Sequence, residues 1–383
     1  MSQVNLNVEN KEINIEFKKH FANLVKISQA FKEGCFFEFQ KRSLTYVDVP
    51  VIVGITGACE NIDTLFRIYN RLSLPLFFAQ TGQLYLEQAL QSFPGVWTVI
   101  HSGRDEEKED KRHLKQFLLT EEEFDCTLAG MNREKYNEDK MYETLLNHIE
   151  STIKSAIKNI LKNYEEILEK VYRRNTQKLK EAVERPFLRI TYEEAIKILN
   201  KNGYPKIKFG DDLKAEHEAL IVQYLNNGSI RKKISSLKKE SPVFIMKYPK
   251  EIKFFNMKVW TKDPRVVLSA DVIFPYAGEG VGSAVRECNF EKLRERLLTS
   301  TMFKLHLERG GEYSDFEWYL NVIKNKLTNP HAGYGIGNER FLQYLFGEKD
   351  IRKVAIFSLL NRQTGDWDEK RYGKAAIFSL FPK

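Results

Sequence analysis

Apolar residues recur along the chain with two different spacings, one typical of helices and one typical of strands, and these spacings divide the chain into helical and strand-like parts. Apolar positions between Phe17 and Phe31 recur at helical spacing and predict a helix near the start. From Leu44 to Thr98 the apolar runs are short and are interrupted by Gly, Pro and Asn, which is typical of strands. The pattern therefore predicts a sheet that follows the first helix.

The middle and the end of the chain repeat both patterns. Residues 138–184 carry Ile, Leu and Tyr at every third or fourth position among Lys and Glu, which predicts one or two long amphipathic helices. Three later runs, PVFIMKYP, FFNMKVW and VVLSADVIF, predict strands. A helix is predicted near 289–299, and a glycine-rich turn should open another at about 338–346. Because no Pro/Gly/Ser-rich linker divides the sequence, we expect one α+β domain over residues 1–383, with residues 138–184 as a helical segment within it.

The composition is that of an ordinary globular protein with a modest excess of positive charge. The 60 Lys and Arg against 52 Asp and Glu give a formal net charge of +8, which permits a polyanionic partner such as a nucleotide or nucleic acid without requiring one. The four cysteines are far apart, so neither a zinc site nor a disulfide framework is predicted. No apolar run approaches the roughly 18 residues of a membrane-spanning helix, and the N-terminal sequence lacks the pattern of a signal peptide. These features favour a cytoplasmic protein with no membrane partner.

The first segment with candidate chemistry is HSGRDEEKEDKRHLKQFLLTEEEF, residues 101–124. One apolar run precedes its charged residues and another follows them. This arrangement predicts two antiparallel strands joined by a charged loop. Arg104 and Glu106 lie two positions apart and so share a strand face, and Phe117 lies near the start of the returning strand. A cation, an acid and an aromatic ring on one face are suited to bind a phosphate, an exocyclic amine and a purine ring. A charge run of this kind also occurs as a plain solvated loop.

The second segment is HAGYGIGNERFLQYLFGEKDIRKV, residues 331–354. Its glycines at 333, 335 and 337 free the backbone for close approach to a ligand, and Arg340 falls at the beginning of a predicted helix, where it can cover that ligand. The glycine spacing matches neither the Walker phosphate loop nor the dinucleotide fingerprint.

The third segment is SADVIFPYAGEGVGSAVRE, residues 269–287. Asp271 and Glu279 bracket a glycine-rich bend, and Arg286 follows. Magnesium prefers a few carboxylates together with phosphate oxygens and water, so these two acids are candidate ligands for Mg²⁺ on a nucleotide.

Together, the three segments resemble, in their order, the signature motifs of class II aminoacyl-tRNA synthetases, and of the asparaginyl branch in particular. Pro50, at the end of TYVDVP, resembles the proline that closes the first motif, which forms much of a dimer interface in the family. The second motif is matched by Arg104, Glu106, His113 and Phe117, and the third by GYGIGNER. Further matches to the asparaginyl branch are CEN (59–61), QLYLE (83–87), RITYEEA (189–195), GDDLKAEHE (210–218), YPKEIKFFNMK (248–258) and NPHAG (329–333). The resemblance implies an antiparallel sheet flanked by helices and a homodimer.

The resemblance also implies roles for residues that would bind ATP. Arg104 would hold the α-phosphate, and Glu106 would accept from the adenine amine. Phe117 and Arg340 would lie on opposite faces of the adenine ring, and His113 near the outer phosphates. The implied ATP-binding set is Arg104, Glu106, Arg112, His113, Phe117, Asp271, Glu279, Gly337 and Arg340.

A second group of roles concerns the metal and the amino acid. Asp271 and Glu279 look like the Mg²⁺ ligands of the family. Glu60 and Gln83 are similar to the groups that bind the α-amino nitrogen of the substrate, and Arg286 to the group that binds its side-chain carbonyl or carboxylate. The implied chemistry is in-line attack of the amino-acid carboxylate on the α-phosphate of ATP, which requires charge neutralisation more than a covalent nucleophile. Arg104, Arg340 and Glu279 are therefore the candidate catalytic residues.

The choice between asparagine and aspartate depends on the residues after QLY. Aspartate-specific relatives have a lysine there, whereas this chain has Leu86 and Glu87. An acid would repel a second carboxylate but accept a hydrogen bond from an amide. Arg286 cannot discriminate alone, because it pairs with an amide oxygen or a carboxylate. The sequence therefore favours asparagine, with Glu87 as a contact in the amino-acid site.

The acceptor of the activated amino acid is where the chain departs from the family. About 45 residues precede the first motif, so we expect no anticodon-binding domain. Gln116 replaces the usual Glu before the aromatic residue, and IFSLLNR replaces the usual Phe-Pro-Arg ending. These departures favour transfer to an unknown small-molecule amine or similar acceptor, with tRNA not expected.

Three alternatives remain open at this point. The chain could be an AMP-forming asparagine synthetase that joins aspartate and ammonia, a reduced enzyme that charges tRNA, or a non-catalytic regulatory paralogue. Retention of Arg104, Glu106, Phe117, Glu279 and Arg340 argues against the last, since a silent paralogue is free to lose them.

Overall fold

A sheet of eight strands forms the centre of the computed structural model, which describes residues 4–55, 64–71, 76–106, 110–230 and 237–356, with side chains from Lys18 onward. The strand order is β1-β5-β6-β11-β10-β9-β8-β7. Its strands are β1 (Thr45–Tyr46), β5 (Gly95–Gly103), β6 (Gln116–Asp125), β7 (Leu188–Thr191), β8 (Val243–Met246), β9 (Ser269–Phe274), β10 (Gly278–Val285) and β11 (His331–Gly337). A second, three-stranded sheet, in the order β2-β4-β3, contains β2 (Ile52–Val53), β3 (Arg67–Ile68) and β4 (Leu76–Phe78).

The predicted antiparallel sheet flanked by helices is confirmed. Neighbouring strands from β5 to β8 pair antiparallel, and the two outermost pairs, β1 with β5 and β7 with β8, are parallel. The described residues form ten helices: α1 (Val4–Lys41), α2 (Gln83–Ala89), α3 (Glu138–Lys170), α4 (Thr176–Glu184), α5 (Tyr192–Lys201), α6 (Ala215–Asn227), α7 (Phe290–Thr299), α8 (Thr301–Glu308), α9 (Glu317–Lys324) and α10 (Asn338–Phe346). None of them is both long and apolar enough to cross a lipid bilayer.

One face of the large sheet is buried under α1 and α3. Helix α3 begins where the Asn137 side chain accepts a hydrogen bond from the Lys140 backbone at 2.9 Å, and its apolar side chains form one buried stripe. The two helices approach closely at Gly34, where an added Cβ would lie 2.5 Å from the Cα of Ala156. This layer and the alternate side chains of the central strands make up the main core.

A buried ion pair fixes the two helices to the centre of the sheet. Arg42, just after α1, lies 2.6 Å from a carboxylate oxygen of the fully buried Glu122 on β6. His148 of α3 contacts the other oxygen at 2.7 Å, and the Tyr334 hydroxyl of β11 also donates to Glu122. Burial alone would raise the pKa of Glu122, but the charges of Arg42 and His148 hold it below the ordinary value. Glu122 is therefore an ionised group in the core.

The opposite face of the sheet is covered at its sides and open in the middle. Helices α5 and α6 pack over β7, β8 and the end of β9, around Ile245 and Ile273. Helices α7 and α9 pack against Val267 and Ala284 on the other side. Between these two layers the sheet presents polar and glycine residues, and this uncovered strip is the floor of a cavity.

Two predictions of local structure were wrong. The run FFNMKVW forms no strand and makes isolated bridges through Met257 and Val259, while Phe254 and Phe255 enter the core beside α7 and α9. The glycines of the third motif lie in a strand, β11, instead of a turn. Of these glycines, Gly333 is required there because a Cβ on it would lie 2.1 Å from the carboxyl carbon of Glu123.

Candidate functional site

The uncovered strip of the sheet forms a cavity of about 400 Å³, a size that suits a small-molecule ligand. Its lining is mostly charged and polar. It includes ten of the residues selected from the sequence, namely Gln83, Arg104, Glu106, Arg112, His113, Phe117, Asp271, Glu279, Arg286 and Arg340, as well as Gly337. Glu60 lies outside the described residues.

One end of the cavity begins at the junction of β5 and β6. The backbone of Arg104 continues the strand ladder by donating to the Lys115 carbonyl at 2.8 Å. Its guanidinium lies 5.7 Å from the ring centre of Phe117, which is paired with Ser102 across the two strands. The Arg104 guanidinium and the Phe117 ring therefore lie on the same wall of the cavity. This agrees with the prediction that two antiparallel strands bring them together.

A tight turn after the loop places a second arginine. Asp110 accepts from the backbone amides of Arg112 and His113, at 2.7 and 2.9 Å, and from the His113 ring at 3.1 Å. The Arg112 side chain then reaches Glu218 of α6 at 3.3 Å, and the same Glu218 oxygen accepts from the backbone amide of Glu279, also at 3.3 Å. The loop, α6 and β10 are joined at this point.

Arg340 covers the same end from the first turn of α10. Its guanidinium donates to the backbone carbonyl of Arg112 at 2.6 Å and to that of Ala277. Burial, reinforced by the positive charge of Arg112, lowers the pKa of Arg340 to about 10, so the group remains charged at neutral pH. Arg104, Arg112 and Arg340 thus concentrate positive charge in a partly enclosed space, which favours a polyphosphate.

Two carboxylates on adjacent strands lie beside these arginines. Glu279 pairs with Ile273, two positions along β9 from Asp271 and on the same face. Lys253 forms an ion pair with Asp271 at 2.7 Å. Within the described part of the chain, no group of three or more His, Cys, Asp or Glu has the arrangement of a metal site. Asp271 and Glu279 are ligands of the carboxylate type that suits a metal ion whose remaining ligands come from phosphate and water.

The other end of the cavity is built around Arg286, which follows β10 and is 4 % exposed. Its Nε and Nη2 both donate to the carboxylate of Glu123 on β6, and its Nε lies 3.7 Å from Glu87. Burial raises the pKa of Glu123 to about 7 against the opposing effect of Arg286. One guanidinium is thus shared between two buried acids.

Glu87, predicted as a contact in the amino-acid site, is not among the residues that line this cavity. The carboxylate accepts from Gln83 at 2.8 Å, Asn256 at 3.1 Å, the Tyr319 hydroxyl at 2.8 Å and His331 at 3.0 Å. Burial alone would raise its pKa, but His331 and Arg286 hold it below the ordinary value. Glu87 lies behind Arg286 as an ionised, fully bonded group, because its partners converge on it from α9, β11 and the segment before β9.

A further buried acid, Glu121, lies two residues before Glu123 on the same face of β6. It accepts from the Thr81 hydroxyl and from the backbone amide of Gly82, the latter at 2.7 Å. Burial raises the pKa of Glu121 to about 7. Glu121, Glu123, Glu218 and Lys253 all line the cavity and were not selected from the sequence. The available signal was TEEEF, since three acids inside an apolar strand are unusual and period-two alternation puts the first and third together.

Comparison with known proteins gives a consistent result. A sequence model described as class II tRNA synthetases (D, K and N) matches residues 3–361. The asparagine–tRNA ligase of Thermococcus gammatolerans is 33% identical over 310 residues, which is 80% of this chain and 62% of the relative. That of Thermococcus kodakarensis is 34% identical over 313 residues, with coverage of 80% and 62%. The chain thus spans about three fifths of the length of these relatives.

Solved structures give the same picture. Asparaginyl-tRNA synthetase from Pyrococcus horikoshii complexed with asparaginyl-adenylate superposes with a TM-score of 0.72 at 29% identity, covering 88% of this chain and 68% of that one. Asparaginyl-tRNA synthetase from Entamoeba histolytica has a TM-score of 0.71 at 25% identity, with coverage of 91% and 69%. Over the matched region, the eight-stranded sheet and its helices therefore have the fold of these class II tRNA synthetases.

Proposed function

Because the chain belongs to the class II tRNA synthetase family that serves aspartate, lysine and asparagine, we propose that it activates asparagine with ATP. The product would be asparaginyl-adenylate, with release of pyrophosphate. One observation carries the proposal: three arginines at one end of a single cavity and a buried arginine shared between two acids at the other. The first set suits a nucleotide triphosphate and the second a small polar side chain.

ATP would occupy the end that contains Phe117. Arg104 would bind the α-phosphate, while Arg112 and His113 would contact the outer phosphates. The adenine ring would stack on Phe117 with Arg340 on its other face, and Glu106 would accept from the exocyclic amine. The close approach of the ring to β11 is aided by Gly337, which has no side chain to fill the space.

Magnesium would be held by Asp271 and Glu279. The metal supplies neutralisation of phosphate charge when bound, and it leaves most of its coordination to phosphate oxygens and water. Lys253, which pairs with Asp271, would orient that carboxylate and add positive charge beside the phosphates.

Asparagine would bind at the Arg286 end. Gln83 and Glu121 line this end and are suited to the α-ammonium group, the amide through its oxygen and the acid through its charge. Glu123 accepts from the Nε–H group and from one N–H of Nη2 of Arg286, so the second N–H of Nη2 and both N–H groups of Nη1 remain as donors for a ligand among the described contacts. These donors suit the side-chain carbonyl oxygen of asparagine.

The reaction would need no covalent intermediate on the protein. An oxygen of the substrate carboxylate attacks the α-phosphorus, the bond to the bridging oxygen of pyrophosphate breaks, and pyrophosphate leaves with the electron pair. Arg104 would stabilise the negative charge that builds on the α-phosphate, and Arg340 would hold the nucleotide in line. The protein thus acts by positioning and charge.

The acceptor is a separate question. The relatives described above are tRNA ligases by name, which favours the terminal ribose of tRNA as acceptor over the small-molecule amine expected from the sequence. The second step would then be attack of a ribose hydroxyl on the adenylate carbonyl, with release of AMP.

Exchange of radioactive pyrophosphate into ATP tests the first step. Asparagine should stimulate exchange, while lysine and glutamine should not. Transfer is tested by incubating the protein with ATP, asparagine and total tRNA and, separately, with ATP, aspartate and ammonia. Acid-precipitable asparagine supports tRNA as acceptor, whereas free asparagine formed from aspartate and ammonia would support the synthetase alternative. Absence of exchange with every amino acid would contradict the proposal.

A further inference from the structure

We propose that Glu123 is the residue by which this cavity distinguishes asparagine from aspartate, and that aspartate enters only together with a proton that Glu123 takes up. The inference rests on the proposed function and adds a specificity mechanism to it. The groups that matter are the charged residues that surround Arg286.

Four buried ionisable groups form that set. Arg286 lies between Glu123 of β6 and Glu87 of α2, and His331 of β11 contacts Glu87 at 3.0 Å. Each of the four is less than 5 % exposed. Burial alone would lower the pKa of His331, but Cys288 and Glu87 raise it well above the ordinary value, so its ring carries a charge. Two cations and two anions then make the set neutral.

Because these four groups together carry no net charge, they suit a ligand side chain that is also uncharged. The amide of asparagine offers one oxygen to Arg286 and one NH₂ group to the carboxylate of Glu123, which lines the cavity. The side chain of aspartate would bring a third carboxylate into the same space. Like charges at contact distance in a buried site repel each other strongly, and one carboxyl group in such a cluster normally takes up a proton instead.

The hydrogen bonds decide which of the two protein acids takes that proton. Glu87 accepts from four side chains, namely Gln83, Asn256, Tyr319 and His331, and every one of these bonds favours the ionised form. Glu123, among the described residues, accepts from Arg286 alone. Glu123 is therefore the easier group to protonate, in agreement with its pKa of about 7.

A protonated Glu123 changes the chemistry of the site in two ways. The set around Arg286 gains a net positive charge, which compensates the carboxylate of aspartate. The new O–H group also donates to that carboxylate, where the ionised form would have repelled it. The neighbouring acid Glu121 is held by Thr81 and Gly82 and does not contact Arg286.

The test is the ratio of kcat/KM for asparagine to that for aspartate in pyrophosphate exchange, from about pH 6 to about pH 9. Effects of pH on ATP, on the α-amino group and on the shared chemistry cancel in this ratio. We expect the ratio to rise about tenfold for each pH unit above the pKa of Glu123, since one proton accompanies aspartate. Glu123→Gln should lower the ratio at least tenfold at about pH 8 and make it independent of pH, because the amide stays neutral and can donate. Glu291→Gln, at an exposed position on α7, should behave as the wild type.

Calorimetry on the wild-type protein gives a second measurement that does not depend on a variant folding. Binding enthalpies at about pH 8 in two buffers of different ionisation enthalpy should show uptake of about one proton with aspartate and none with asparagine. Equal proton uptake for both amino acids, a ratio that does not change with pH, or no aspartate binding even at low pH would each overturn the inference. Exchange with neither amino acid would overturn the proposed function and this inference with it, whereas exchange with asparagine and a constant ratio would overturn the inference alone.

Discussion

Arg340 donates a hydrogen bond to the backbone carbonyl of Arg112 over 2.6 Å, and this contact fastens the first turn of α10 to the loop between β5 and β6. A second bond from the same guanidinium goes to the carbonyl of Ala277, before β10. Three separate segments around the end of the cavity that contains Phe117 are thus held by one side chain. The arrangement requires the planar fork of arginine and not merely its charge.

We therefore expect Arg340→Lys to lower the rate of pyrophosphate exchange at least 100-fold. Arg340→Ala should lower this rate by no more than a further few-fold. Lysine retains the charge but cannot bond both carbonyls and cover a ring at the same time. Steady-state exchange rates at saturating asparagine provide the measurement. Arg265→Lys, in an exposed ion pair, is the matched control and should keep full activity. Retention of wild-type exchange by Arg340→Lys would contradict the assigned role.

Stability should depend strongly on the buried pair of Arg42 and Glu122. Arg42→Met removes the main partner of a fully buried carboxylate and is expected to cost about 3–5 kcal/mol in the free energy of unfolding. Arg42→Met with Glu122→Gln should recover part of that loss, because the uncompensated charge is removed as well. Urea unfolding followed by circular dichroism measures both effects. Arg265→Met, which breaks the exposed surface pair with Asp263, should leave the free energy of unfolding close to that of the wild type.

The buried acid Glu121 should make the free energy of unfolding fall as the pH rises. Its pKa is about 7 in the folded protein against 4.5 as the ordinary value, so between these pH values the folded chain keeps a proton that the unfolded chain has released. The stabilisation linked to that proton is complete below about pH 4.5 and is lost as the pH passes through about 7. Relative to the wild type, Glu121→Gln should gain about 3 kcal/mol between these limits. Parallel stability curves for the two proteins over this range would refute the assignment.

The edge of the large sheet near Pro50 is the proposed dimer interface. Tyr46, Val51 and Ile52, which flank this proline, are 46 %, 38 % and 53 % exposed, an unusual apolar exposure for a free surface. We expect sedimentation at micromolar concentration to give twice the mass of the chain, and Ile52→Asp to give a monomer. Leu307→Asp, at a similarly exposed leucine on α8, should leave the assembly unchanged. A monomeric wild type would rule out this interface.

The parts of the site that depend on local spacing could be predicted from the sequence. Arg104 and Phe117 come together because two adjacent strands pair, and both strands are evident from their apolar runs. Arg340 follows from its position in the first turn of a recognisable helix. Each of these placements needs information from one short stretch of chain.

Other parts of the site depend on contacts between distant segments, and the spacing of residues in the sequence does not reveal such contacts. Gln83 and Glu87 are four residues apart and hydrogen bonded on one face of α2, so spacing alone places both toward the substrate. Glu87 is instead withdrawn by Asn256, Tyr319 and His331, which come from distant segments. Likewise, the three acids of TEEEF look alike in sequence, and they differ only because α1 and α3 cover one face of β6 and leave the other open.

The position of β11 in the sheet governs how the domain can fold. This strand is the last of the eight in chain order, yet it lies between β6 and β10, near the middle of the sheet. During synthesis, β6 and β10 therefore each carry an open edge until residues 331–337 have left the ribosome. Among the described residues, β11 is the strand of the large sheet that joins the two half-sheets on either side of it. Closure of the sheet, and with it assembly of the floor that carries Glu123 and Arg286, is therefore a late step that depends on long-range contacts, and such contacts slow folding.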